Sequence, residues 1–447
     1  MTPTNKPILL AAAAAVLTPF AAGQNLQERL NALEKKNKIL QDQVDALGQD
    51  VEKIDLGGLV PKIGELSQVL GNSIGVGQGA AKVYDIEQGL SIGGYGEFIY
   101  KGNQNGVDQT DAQRAILYFG YKFSDKWVFN SEIEIEHGST GAPSRNKGGS
   151  VSLEFGYLDY MHSDTVNFRA GLLLSPMGLI NQLHEPTAFL ASNRPQTEGR
   201  IIPSTWREMG AGFYGDVGDF AYQTYLMTAL DAEGFDEDGL RGGRGKGART
   251  PTDDMSWITR VDYVGVNGLT LGGSLSLGQH GQDNRNSAGA DIGSVDAVMY
   301  DLHVDYRTGP WVFRALYAGA ELDGVDQFNA ANGAGALSDP ADPNSGNRDF
   351  LAESMNGFYG EVAYDVMNLI APGATAQLRP FVRWEQIDTQ ASMLGAQANA
   401  LRNDGQDNEI VTMGINYKPI PQVVIKADYE HWEDKNDRFN IVFGYVF

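Results

Sequence analysis

The chain of 447 residues carries 57 acidic and 34 basic side chains, a formal charge of −23, and no cysteine. So acidic a chain lacks the basic patch that nucleic acid requires, and the missing cysteines exclude disulfide frameworks and thiolate metal sites. Its 55 glycines, 19 tyrosines and 19 phenylalanines, with few long apolar runs, point to strands and loops rather than helices.

Residues 1–23 read as a signal peptide. Lys6 is the positive region, 7–20 form the apolar stretch, and Ala21-Ala22-Gly23 are small enough for cleavage. The stretch is too short to span a membrane, and no other run of about 18 apolar residues follows. With no cysteine after it, a lipid-anchored N-terminus is not expected.

Residues 24–56 then change period and predict a coiled coil. Leu26, Leu33, Leu40, Leu47 and Ile54 lie seven apart, and Leu30, Asn37, Val44 and Val51 fill the other seam position. A helix over 26–54 is about 43 Å long and cannot bury such a seam alone. Asn37 at a seam position fixes register. Arg29 and Glu34 sit where an arginine reaches the glutamate of a neighbouring helix, a spacing that resembles three-stranded coiled coils. A homotrimer is the first expectation. A dimer and a helix docked on its own barrel are the alternatives. Residues 57–89, rich in glycine, read as a linker.

From residue 90 to 447 one theme repeats: alternating apolar and polar segments separated by turns. Trp127, Phe129, Ile133 and Ile135 oppose Asn130, Glu132, Glu134 and Glu136; Val298, Tyr300, Leu302, Val304 and Tyr306 oppose Asp301, His303 and Asp305. Sixteen such segments are predicted: 90–101, 112–123, 126–137, 150–162, 165–174, 209–217, 219–230, 255–264, 269–281, 295–306, 311–322, 355–366, 376–387, 409–418, 422–431 and 438–447. The faces of 150–162 and 219–230 are ambiguous, because apolar residues occur on both. Short turns mostly follow even segments and long polar loops odd ones. Together with the even strand number, this is the pattern of an all-β, 16-stranded antiparallel transmembrane β-barrel, here preceded by an α-helical coiled coil. Closure removes the two edges of so large a sheet. Trp127 and Trp311 beside short turns, with Trp257 and Trp432 at the long-loop rim, are the expected interfacial aromatics in outer-membrane lipid.

Several motifs carry a family resemblance. The run Phe168-Arg169-Ala170-Gly171-Leu172-Leu173-Leu174-Ser175-Pro176-Met177-Gly178 is similar to phosphate-selective porins of the O and P family. So are His184-Glu185-Pro186, Asn193-Arg194-Pro195 and Ile201-Ile202-Pro203-Ser204-Thr205-Trp206-Arg207-Glu208, while Gly93-Gly94-Tyr95-Gly96-Glu97 matches the usual start of the barrel. Tyr445 and Phe447 at the end resemble the signal read by the outer-membrane assembly machinery, with Val442 where a glycine is usual. The resemblance implies a trimeric sixteen-stranded channel, in the outer membrane of a diderm bacterium, with long loops extracellular and the coiled coil periplasmic. It implies passage of small hydrophilic solutes or ions, including anions such as phosphate.

The resemblance also implies that the third long loop, 175–208, folds into the barrel as the constriction. Its candidate lining is Arg194, Arg200, Arg207, Glu185, Glu198 and Glu208, the alternative for each being to hold the loop against the wall. Alternation places Arg114, Arg169, Arg260, Arg379 and Arg383, with Glu132, Glu134, Glu136 and Glu385, on the inner wall. Inward acids are at least as numerous as inward bases, so weak or mixed selectivity is expected. The six histidines lack metal-ligand spacing, and 242–247 reads as a mobile tip rather than a phosphate loop. No metal, cofactor or enzymatic activity is expected. The second reading is an envelope-organising anchor, with the coiled coil bridging toward the cell wall and the barrel closed or plugged.

Overall fold

The structure is a computed structural model and describes residues 35, 36, 38, 73–138, 140, 148–283, 285, 289, 291–331, 350–393 and 402–447. Lys35, Lys36 and Lys38 are helical and exposed. The signal peptide and the seam positions Leu26 to Ile54 lie outside the described residues.

Sixteen antiparallel strands close into one barrel. They are β1 (Gly89–Asn103), β2 (Gln109–Lys122), β3 (Trp127–Glu136), β4 (Val151–Met161), β5 (Asn167–Leu174), β6 (Arg207–Val217), β7 (Phe220–Thr228) and β8 (Met255–Tyr263). The chain continues through β9 (Leu269–Gln279), β10 (Asp296–Thr308), β11 (Trp311–Asp323), β12 (Ser354–Tyr364), β13 (Gln377–Ser392), β14 (Asp407–Ile420), β15 (Val423–Trp432) and β16 (Arg438–Val446). Each strand pairs with its sequence neighbour, and β16 returns to β1, where Phe447 and Gly94 exchange backbone hydrogen bonds of 2.8 and 3.0 Å. All sixteen predicted segments are strands. Among the described residues no helix is long and apolar enough to cross a membrane; the strands form the wall.

The outer face is apolar: Phe98, Leu271, Leu302 and Phe443 are each more than half exposed. Trp127, Trp257 and Trp311 also point outward. Trp432 does not. It faces inward, buried, with Lys435 and Arg438 over its ring, because it lies in phase with Lys426, Asp428 and Glu430.

The two ambiguous strands have distinct causes. In β4 the pairing slips between Glu132 and Ile133, leaving Glu154 as a bulged residue, so Glu154 and Phe155 both point inward. In β7 the inward set is Ala221, Gln223, Tyr225 and Met227, which includes large apolar groups. They are inside because the core of this barrel is protein rather than water. Phe155, Tyr157, Tyr225 and Met227 pack with Met177, Leu179, Ile201, Ile202 and Trp206 of the inward loop.

The end of the predicted linker is also inside. Helix α1 (Gln78–Asp85) packs against β1, β2 and β3. Asn130 Nδ2 donates to Ala80 O at 3.0 Å, Arg169 Nη1 to Ile74 O at 2.7 Å, and Tyr84 Oη to Asp159 Oδ2 at 2.7 Å. Glycine permits this approach: a Cβ on Gly79 would stand 2.7 Å from the Tyr118 ring. Residues 73–84 thus form an internal segment rather than a free connector.

Candidate functional site

Residues 175–206 join β5 to β6 and fold into the lumen, buried along most of their length. No regular ladder can satisfy their backbone there, so the wall does it with charged side chains. Gly178 N donates to Asp301 Oδ2 at 3.0 Å, Ser192 N to Asp428 Oδ2 at 2.6 Å, and Thr197 N to Glu385 Oε1 at 2.6 Å. In the opposite sense, Arg260 donates to Gly178 O, Arg314 Nη2 to Ala188 O at 3.1 Å, and Arg383 Nη1 to Asn193 O at 3.1 Å. Lys418 Nζ and Lys426 Nζ each donate at 2.8 Å, to Thr187 O and Ala191 O. Carboxylates take the loop's N–H groups and cations take its carbonyls.

The predicted constriction residues therefore separate. Glu185 accepts from Gly79 N at 2.9 Å and pins the internal segment to the loop. Glu198 accepts from Ile180 N and Tyr359 Oη, each at 2.6 Å. Arg207 Nε donates to Leu153 O at 3.1 Å and its Nη1 to Glu154 at 3.2 Å. Glu208 accepts from Gly245 N at 2.7 Å, which ties the glycine-rich stretch of the next long loop to β6. That stretch is held at Arg244 too, whose Nη1 donates to Thr205 O at 3.1 Å, so 242–247 is packed rather than a free tip.

Arg194 and Arg200 line open space. With Arg114, Glu97, Phe189, Asn193, Asp238 and Arg241 they border a cavity of about 350 Å³ between the loop and the β1–β2 wall. Arg114 bonds Glu97 at 2.9 Å and stands 3.8 Å from Glu134. Arg200 meets Asp238 at 3.3 Å, and Arg194 Nη2 is buried without a hydrogen-bond partner. Arg241 is accessible yet enclosed by the mouth. That enclosure first, then the Arg194 and Arg114 charges, push its guanidinium down to about 10, which leaves it charged at neutral pH. Four guanidiniums facing two carboxylates make a cationic cavity in an acidic protein.

The remaining predicted wall residues lie away from this cavity. Arg169 is fully engaged, with Nε 2.8 Å from Asp159 and its plane over the Tyr157 and Tyr214 rings. Glu136 accepts from Ser150 Oγ at 2.9 Å, and Arg379 is half-buried near the short-turn rim. Glu132, Glu154 and His184 form a buried cluster whose ligand atoms lie within 4.8 Å of one another. Arg241 and Asp238 were not expected at the cavity. The signal for Arg241 was the basic run Arg241 to Arg249 set inside an acidic loop.

Comparison with known proteins places the chain. It is 34% identical over 370 residues to an uncharacterized protein of Aquifex aeolicus (strain VF5), covering 81% of this chain and 80% of that one. It belongs to that protein's family. No family model matches the chain. Among solved structures, OmpF of Salmonella typhi in complex with daunomycin aligns with a TM-score of 0.52 and 12% identity, over 81% of this chain and 98% of that one. The outer-membrane channel DcaP of Acinetobacter baumannii aligns at 0.49 and 12%, over 80% and 97%. At such identity the OmpF likeness shows the fold alone, the sixteen-stranded barrel of outer-membrane porins.

Proposed function

We propose that this protein is an outer-membrane porin, a passive, trimeric diffusion channel without enzymatic activity that passes small hydrophilic solutes and favours small anions such as phosphate. The observation that carries the reading is the cavity beside the inward loop, where Arg114, Arg194, Arg200 and Arg241 face Glu97 and Asp238. Like charges held together in an enclosed space attract counter-ions and select by sign. The motif resemblance to phosphate-selective porins of the O and P family points the same way. In this reading the long loops are extracellular, the coiled coil is periplasmic, and Tyr445 and Phe447, both outward-facing, address the assembly machinery.

Planar-bilayer recording under a salt gradient tests it. Current in steps of three with a reversal potential of anion-selective sign is expected. Folded, heat-modifiable protein that conducts nothing overturns it.

One observation favours the second reading, an envelope-organising anchor. Residues 73–84 occupy the lumen at the short-turn half, where Ser73 meets Asp216 at 3.0 Å and Lys122 Nζ donates to Tyr84 O at 3.1 Å. A barrel plugged by its own N-terminal segment anchors without conducting. Deleting residues 59–85 discriminates the two: conductance that appears only after the deletion favours the anchor.

A further inference from the structure

Where β3 and β4 meet the inward loop, the ionisable side chains of Glu132, Glu154 and His184 converge, and Glu132 among them has no hydrogen-bond partner. His184 Nδ1 lies 2.9 Å from Asn181 O, so this nitrogen carries the proton. His184 Nε2 therefore turns toward the wall, 3.0 Å from Glu154 Oε2 and 3.5 Å from Glu132 Oε1. All three residues are at most 3% exposed. The far oxygen of Glu154 is already held, by Thr205 Oγ1 at 2.9 Å and Arg207 Nη1 at 3.2 Å. Neither oxygen of Glu132 has a hydrogen-bond partner. The hydroxyl of Tyr95 lacks one as well, and its ring lies edge-on to His184 at 6.1 Å.

An imidazolium is an incomplete answer to this arrangement. Its Nε2 has one proton, Glu154 is the nearer acceptor, and Glu132 would stay buried with two unmet oxygens. A buried carboxylate left so is strongly disfavoured. A cation among the three atoms satisfies both carboxylates and the imidazole lone pair together. The surroundings match what such an ion needs: the second ring nitrogen donates to a backbone carbonyl, and the ligating carboxylate is itself hydrogen-bonded. Arms of about 2.0–2.1 Å in a tetrahedral site place ligand atoms about 3.3 Å apart, between the two separations seen here. Calcium, with arms of about 2.4 Å and six to eight oxygens, suits neither the spacing nor the nitrogen. The β4 bulge supports the same end, since it turns Glu154 and Phe155 inward in succession and brings Glu154 to Glu132 across the ladder.

We propose that Glu132, Glu154 and His184 bind a divalent first-row transition metal ion that clamps the inward loop to the β3–β4 wall. The site is closed, so the ion loads as the barrel folds. The clamp holds whether or not the barrel conducts.

The test is to refold the full chain after chelation, with and without micromolar ZnCl2, remove free metal, and measure zinc by mass spectrometry. Wild type retains one zinc per chain, and its unfolding temperature rises with zinc. His184→Gln and Glu132→Gln fold, as heat-modifiable mobility on gels reports, but bind at least about 100-fold more weakly and lose the zinc-dependent rise. The proposal is overturned if folded wild type retains no zinc, or if both variants retain it as wild type does.

Discussion

Along β13–β15 five charged wall residues bond to the backbone of the inward loop, whereas along β1 and β2 the wall charges face other charges across a cavity. On the first flank Glu385, Asp428, Arg383 and Lys426 each meet a loop N–H or carbonyl. On the second, Arg114 meets Glu97, and Arg194 keeps a guanidinium nitrogen without a partner. An inward charge is thus not a pore-lining charge by position alone. What faces it decides: a backbone dipole consumes the charge in holding the loop, while an open cavity leaves it for a solute.

The largest expected effect breaks the first flank. Glu385→Ala removes the acceptor of Thr197 N and Oγ1 and the carboxylate 4.0 Å from buried Arg383. The uncompensated charge should cost about 3–5 kcal/mol in urea unfolding of the refolded barrel; a loss under about 1 kcal/mol would mean that the flank is wet. Acid should weaken the packed rim next. Burial holds the imidazole of His280, after β9, down to about 4, against about 6.5 when unfolded. The unfolded chain therefore takes up this proton first. Stability from His280 is complete above pH 6.5 and falls by about 3 kcal/mol toward pH 4. His280→Gln should flatten that part of the profile. Asp428→Ala, which strands Ser192 N and leaves the Asn440 amide only its 3.3 Å bond to Glu430, should cost about 1–3 kcal/mol by the same unfolding measurement. The smallest effect sharpens the second flank. Arg194→Gln should leave unfolding unchanged and shift the reversal potential toward cations, by the equivalent of about 0.2–1 kcal/mol. If it destabilises the barrel instead, Arg194 belongs with the loop anchors.

The strands were legible because a period of two survives any loop, and β3 and β10 show it along most of their length. β4 was not, because a bulge adds one residue and inverts the phase at Glu154 without any compositional mark. β7 was not, because Tyr225 and Met227 serve a core made by a distant loop. The same gap explains the site. Inward positions such as Glu385 and Arg260 could be read from alternation, but whether each meets water or backbone depends on the path of 175–206, which has no period. α1 was hidden for a different reason. Gly77 and Gly79, which suggest a flexible connector, are there because Glu185 and Tyr118 crowd the helix.

The closing seam of the barrel also sets an order of events. Fifteen of its ladders join strands adjacent in sequence, and only β1 with β16 joins the two far ends. The fifteen can zip as successive hairpins, some across tight turns and others across long loops such as 175–206. The seam joins the two far ends of the sheet, so in that order it closes last. During that wait β1 and β16 are bare strands, open to mispairing with any other chain. Those two edges disappear only when Gly94 and Phe447 exchange their backbone hydrogen bonds, so the last bonds of the ladder are also the ones that end the exposure.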